Sequence, residues 1–162
     1  MNYQYPTDFI ERTLELLKQY ESFVPHNKEH YEITLLLNSC VGLLFVLCER
    51  QFQSKLPKSV AGLQDIEKNI TICCKYSKQQ LINEQVTVSS ICKHLRNSVA
   101  HYRFKSKTGT VDIDTIIFDD YNNGNPSKQT FHAEIKVLVL REFLIDLAEK
   151  TLFNIKSTQP AK

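Results

Sequence analysis

The run Thr110-Val111-Asp112-Ile113-Asp114-Thr115-Ile116-Ile117-Phe118-Asp119-Asp120 is where the periodicity of this chain changes. It alternates and is rich in β-branched residues. Tyr121-Asn122-Asn123-Gly124-Asn125-Pro126-Ser127-Lys128, dense in turn formers, comes next, and Gln129-Thr130-Phe131-His132-Ala133-Glu134-Ile135 alternates again. Two alternating runs around a turn-rich centre predict a β-hairpin over about 110–135. Outward from it, the pattern is helical. Val137, Leu140, Leu144, Leu147 and Ala148 share one face of a last helix from about Lys136 to Asn154. Upstream, Val88 to Arg103 reads as a helix that Thr87 caps. A third helix is expected over about Leu63 to Ser77, and a second over about His30 to Gln53, stopping before Pro57. The first runs from about Asp8 to Tyr20. There Asp8 and Glu11 resemble a capping box, and Ile10, Leu14 and Leu17 form one stripe. The expected fold is therefore mainly α: an antiparallel helical bundle with a small β-hairpin inserted before the last helix, one domain over 1–162 with a polar tail fraying over about 156–162.

Composition narrows the functional classes. Among 162 residues, 42% are hydrophobic and only 4 are Gly, enough to bury a core without covalent staples. Cys40, Cys48, Cys73, Cys74 and Cys92 are odd in number, lack a C-x-x-C pair and sit in apolar segments. That pattern suits reduced, buried thiols and argues against a disulfide framework or a zinc site. The N-terminus lacks the basic start and apolar run of a signal peptide, so a cytoplasmic protein is expected. The longest apolar run, Leu35 to Cys48, is interrupted by Asn38, Ser39 and Gly42 and falls short of the about 20 residues a bilayer needs. It reads as a helix buried nearly all round, in a core or at a subunit interface, with no membrane partner. Asn38, an amide inside that run, is expected to be buried and hydrogen-bonded.

Charge is more informative by position than by sum. From Gln85 to Val111 there is no Asp or Glu, whereas Lys93, Arg96, Arg103, Lys105 and Lys107 fall inside. A local field of one sign attracts anions, of which nucleic acids and nucleotides are the common large ones. Projected at about 100° per residue from Arg96, Ile91, Tyr102, Leu95, Val88, Val99 and Cys92 occupy an arc of roughly 220° to 320°, the expected buried face. Arg96, Lys93, Asn97, Ser90, His101 and His94 lie between roughly 0° and 160°, with Ala100 among them. The packing is thus explained without the polar set. An imidazole is the usual general acid or base near neutral pH, and a guanidinium donates a planar fork to phosphate. Asn97 and His101, four apart, are expected on one ridge, with Arg96 about 140° from His101 and reaching in with its long side chain. An amide beside the histidine is able to fix its tautomer or hold a phosphate oxygen. Arg96, Asn97 and His101 are together the parts of a phosphodiester-cleaving site that uses no metal. The bland reading is a solvated helix face.

Arg96-Asn97-Ser98-Val99-Ala100-His101 resembles the R-N-x3-H form of the R-x4-6-H signature of HEPN domains (higher eukaryotes and prokaryotes nucleotide-binding). The expected helical bundle, the late position of the signature in a helix and the earlier segment YEITLLLNSCVGLLFVL fit that family, and the hairpin followed by VLVLREFLIDLAEK looks like its prokaryotic nuclease branch. The resemblance implies a cofactor-free homodimer in which two signature helices face each other. It also implies a composite site with Arg96 and His101 as catalytic residues and Asn97 as their supporting polar neighbour. The implied reaction is attack by the RNA 2′-hydroxyl on the adjacent phosphate, in a toxin or phage-defence setting where an antitoxin or other regulatory protein is a further expected partner. On this reading Lys93, Arg103, Lys105 and Lys107 contact the RNA backbone, and the dimer uses the second and fourth helices. Toxin members carry H-x-Y, whereas here Tyr102 follows His101 directly and Arg103 holds the tyrosine position. The competing class is a non-catalytic module that holds RNA, a nucleotide or a partner protein on the same basic face.

Other constellations carry less. Asp112, Asp114, Asp119 and Asp120 resemble an acidic metal group, but Asp112 and Asp114 share a strand face and most simply form the solvent side of the hairpin. His26 and His30 have helical metal-pair spacing beside Pro25, without a third ligand. His94 lies two turns from His101 and is expected at the rim.

Overall fold

The computed structural model describes residues 6–23, 32–108, 113–125 and 127–158. His26, His30, Asp112, the strand start at Thr110 and the last residues of the expected frayed tail lie outside them. The elements are α1 (Pro6–Phe23), α2 (Glu32–Leu47), α3 (Arg50–Gln53), α4 (Leu63–Lys68), β1 (Ile70–Ser77), β2 (Gln80–Asn83), α5 (Val88–Ala100), β3 (Phe104–Thr108), β4 (Ile113–Tyr121), β5 (Gln129–Lys136) and α6 (Val137–Lys156). A short 3₁₀ turn, Asn122–Gly124, lies between β4 and β5.

The hairpin between β4 and β5 forms where the alternation placed it, but it is the centre of a larger structure. Five strands, all antiparallel, make one sheet in the order β2-β1-β5-β4-β3. This overturns the helical bundle: the chain is a mixed α/β protein. Three misreadings account for the difference. The third helix stops at Lys68, where Asn69 turns its side chain onto the Asp65 carbonyl at 2.7 Å, and Ile70–Ser77 continues as a strand. β-Branched Ile70, Thr71 and Ile72 crowd a helix but fit a pleated surface, and the strand gains β5 as a partner through Ile72 opposite His132 and Cys73 opposite Phe131. Lys78 and Gln79 then both take positive φ (47° and 65°) in a two-residue loop closed by Ser77 opposite Gln80. That is the geometry of a type I′ turn without the Asn-Gly or Asp-Gly that announces one. Beyond α5, Phe104–Thr108 pairs along β4 from Phe104 opposite Phe118 to Thr108 opposite Ile113.

The helical readings elsewhere need smaller corrections. α1 starts at Pro6, a residue suited to the first helical position, so Asp8 sits inside the first turn rather than at the cap. The second helix breaks at Cys48 and Glu49, leaving α3 as a separate turn. Asn38 is exposed, not buried, as are Thr34 and Phe45 on the same stripe of α2, while Leu36, Cys40, Leu43, Leu44 and Leu47 fill the core.

Strand phase positions the site. On β4, Ile116, Phe118 and Asp120 are buried at every second residue, and on β5 Phe131, Ala133 and Ile135 do the same. These residues face α5 and α6, whose Ile91, Leu95, Leu140, Phe143, Leu144 and Leu147 are buried against them. The alternate residues Asp119 and His132 lie directly opposite each other and pair on the other face, Nδ1 to Oδ1 at 2.7 Å. A buried carboxylate at Asp120 is thus dictated by its parity with Phe118. Asp114, of the same parity but nearer the strand start, is exposed.

Candidate functional site

The signature occupies the last turn of α5. Thr87 caps the other end as its spacing predicts: the Thr87 Oγ1 accepts from the Ser90 amide at 3.1 Å and the Ser90 Oγ accepts from the Thr87 amide at 2.8 Å. At the C-terminal end the helix stops at Ala100, with His101 as its cap. Tyr102 takes φ 54°, its amide donates to the Val99 carbonyl at 3.1 Å, and the Arg103 amide donates to the Ser98 carbonyl at 2.7 Å. This bond pair is a Schellman motif, with tyrosine in the left-handed position that glycine normally fills. The chain therefore leaves the helix at His101, whose amide still bonds the Asn97 carbonyl at 3.1 Å. Tyr102, expected on the buried arc, is 87% exposed, because the positive φ swings it off the helical projection.

Arg96 is half-buried. Its Nε and Nη2 donate to the Asn97 Oδ1 at 3.2 and 2.9 Å, and its guanidinium lies 5.8 Å from the ring centre of Phe45, a half-exposed residue of α2. Asn97 in turn donates from Nδ2 to the Asp120 Oδ2 at 3.0 Å. Asp120 is the hub. Its Oδ2 also accepts from the His94 Nδ1 at 2.9 Å, and its Oδ1 accepts from the Tyr121 amide at 2.9 Å and from the Arg103 Nη1 at 3.4 Å. Burial raises the Asp120 carboxyl, but the hydrogen bonds from His94 and Asn97, the electrostatic influence of His94 and the Tyr121 amide outweigh it and hold the group below its ordinary value.

His94 is not a rim residue. It is 2% exposed, stacked on Phe131 with ring centres 4.8 Å apart and planes within 7°. Because Asp120 only accepts, the His94 Nδ1 carries a hydrogen. The other ring nitrogen, Nε2, stands 3.5 Å from the Glu84 Oε2, and neither atom has a hydrogen-bond partner. His94, Asp120, Glu84 and Phe131 are the site-shaping residues that the sequence reading missed. The available signal was the parity of Asp120 with Ile116 and Phe118.

The sequence-predicted site residues divide by environment. Arg96 and Asn97 are bonded to each other, and His101 is exposed at the helix cap. Lys93 and Lys105 are exposed. Lys107 pairs with Glu134 at 3.1 Å, while Arg103 is tied to Asp120 and lies 5.5 Å above the Tyr121 ring. The four cations are thus not one open patch. A cleft of about 520 Å³ between α2 and β3, lined by Leu37, Phe104, Lys105 and Ile116, and another of about 300 Å³ lined by Asp65, Asn69 and Lys136, include none of Arg96, Asn97 or His101. Within the signature, Ala100 and His101 are exposed, Arg96 and Asn97 are half-buried, and Ser98 and Val99 are buried.

Among the described residues no group of three or more His, Cys, Asp or Glu is arranged to hold a metal ion, and no helix is long and apolar enough to cross a membrane. The five cysteines are free thiols, and burial pushes Cys40, Cys48, Cys73 and Cys92 up, away from the thiolate. No curated protein and no solved structure matches the chain. A family model does: HEPN pEK499 p136 matches residues 1–158. With the match covering all but the last residues, and the R-N-x3-H signature intact at the end of α5, the chain belongs to the HEPN pEK499 p136 family.

Proposed function

We propose that this protein is an endoribonuclease that cleaves RNA by 2′-hydroxyl attack, with Arg96 and His101 of two copies forming one composite site. The observation that carries the reading is the state of Arg96. Its guanidinium is anchored on one side by Asn97, leaving its remaining N–H donors for an anion, and an exposed imidazole, His101, follows five residues on at the helix cap. In this mechanism His101 moves protons between the 2′-oxygen, which attacks phosphorus, and the 5′-oxygen, which leaves. Arg96 stabilises the charge that builds on the phosphoryl oxygens. The chemistry needs no cofactor and ends in a 2′,3′-cyclic phosphate and a 5′-hydroxyl. Exposed Lys93 and Lys105 hold the RNA backbone, and Arg103 and Lys107 exchange part of their carboxylate pairing for phosphate.

A second copy suits this face. Half-exposed Phe45 against Arg96 and largely exposed Tyr102 next to His101 carry apolar surface that a homodimer through α2 and α5 covers. A toxin or phage-defence role, with a neutralising partner, follows the habit of the family.

The test is incubation of the purified protein with single-stranded RNA in excess chelator, beside His101→Ala. Cleavage by the parent and at least a 100-fold (~3 kcal/mol) loss in the variant are expected, the order that removal of a general acid or base produces. Equal cleavage by both contradicts the assignment. RNA binding without cleavage by the parent supports the non-catalytic module instead.

A further inference from the structure

Asn97 joins two groups of opposite and fixed hydrogen-bonding character. The Arg96 guanidinium only donates, and the Asp120 carboxylate only accepts. An amide, with one carbonyl oxygen and one NH2 on separate atoms, satisfies both at once. The bonds confirm this polarity: Oδ1 faces Arg96 and Nδ2 faces Asp120. The orientation of the amide is therefore set from β4, by a residue 23 positions away in sequence and buried in the phase of Phe118.

From this geometry we infer that Asp120 is a positioning residue for the nuclease site: through Asn97 it fixes where the Arg96 guanidinium sits, without touching substrate itself. The inference rests on the nuclease reading for its kinetic consequence, but the chain of bonds stands independently. Asp120 is well suited to the task. It is buried, so water does not compete for its oxygens, and four donors hold it: the His94 ring and the Asn97 amide from α5, the Arg103 guanidinium and the Tyr121 backbone. His94 is itself held by the Phe131 stack, with the Glu84 Oε2 3.5 Å from its far nitrogen. The groups that face the carboxylate are thus one imidazole, one amide and one guanidinium, with the Glu84 carboxylate one residue beyond.

The same logic yields a test by exchange. In Asp120→Asn, either amide orientation sets an NH2 against donors: Asn97 on one side, or Tyr121 and Arg103 on the other. In Asn97→Asp, two carboxylates meet across a 3.0 Å contact. In the double variant Asn97→Asp/Asp120→Asn every group finds a partner again. The carboxylate at 97 accepts from Arg96 and from the new amide, whose oxygen accepts from Tyr121 and Arg103. His94 changes tautomer, accepting at Nδ1 and donating from Nε2 toward Glu84, the pair that now lacks hydrogen bonds.

The experiment measures RNA cleavage and, by ¹⁵N NMR, the hydrogen exchange of the Arg96 Nε–H in all four proteins, with thermal unfolding to verify the fold. Asp120→Asn is expected to lower kcat about 10- to 100-fold with little change in KM, as misplacement of a charge-stabilising group does, and to speed Nε–H exchange. The double variant is expected to recover both, to within about tenfold of the parent. Should Asp120→Asn not fold, Asn97→Asp supplies the single-variant arm, since it leaves the Tyr121 and Arg103 bonds intact. A folded single variant that matches the parent in both readouts, or a folded double no better than its worse parent, overturns the inference. If the parent cleaves no RNA, the nuclease reading falls, and the Nε–H comparison alone decides whether Asp120 positions Arg96.

Discussion

Asp120 shows how one residue couples the site to the stability of the fold. Its carboxyl binds a proton less readily in the folded chain than in the unfolded one, because His94 and Asn97 donate to the charged form. The unfolded state therefore takes up more protons between the two values. The stabilising contribution is complete above the ordinary carboxylate range and is lost as pH falls from there through the lower folded value. Urea unfolding between pH 6 and pH 3 should accordingly show a steeper acid loss for the parent than for Asp120→Asn. Parallel curves contradict the assignment of that carboxylate as the depressed one. At this scale the sequence was legible where a residue's role follows from local spacing, as with Thr87 at its cap, whereas Asn97, expected on the ridge of His101, bonds Arg96 and Asp120 instead. It was opaque for His94, whose partners Asp120 and Phe131 come from other strands.

Among the elements, α5 carries the least expected local feature. Its Schellman ending sets Tyr102 in the left-handed region, which costs a non-glycine residue about 1–2 kcal/mol, and the exposed ring recovers little of it, its ring contact among the described residues being Phe104 at 6.4 Å between centres. Tyr102→Gly should raise the unfolding free energy by about 1 kcal/mol in denaturant melts while weakening RNA cleavage, since strain retained without packing return marks a functional surface. A variant that is no more stable contradicts the strain argument; one that cleaves as well as the parent removes Tyr102 from the site. The projection that placed Tyr102 in the core assumed a helix continuing to Arg103, and no glycine or proline announced its end. β1 was hidden for a related reason: ITICCKYS lacks strict alternation, and the Lys78-Gln79 turn lacks the usual turn residues. The β4 and β5 hairpin, with clean alternation on both arms, was readable directly.

For the molecule as a whole, the composition foresaw a core without staples and the signature foresaw the family, while the layer architecture was missed because strand pairing is a long-range property. β1 meets β5 about sixty residues later. β5 brings Phe131 beneath His94, and β4 brings Asp120 beneath Asn97, so the sheet backs the signature helix. The central proposal is that Arg96 and His101, held on this scaffold, promote attack by a ribose 2′-hydroxyl on its adjacent phosphate. Its most direct test is the chemistry of the ends formed when an oligoribonucleotide is cut in excess chelator, read by mass spectrometry beside the same strand with a single 2′-deoxy sugar at the cut. The account predicts 2′,3′-cyclic phosphate and 5′-hydroxyl ends, and no cut at the deoxy position. Ends bearing a 5′-phosphate, or an undiminished cut at the deoxy sugar, would contradict it.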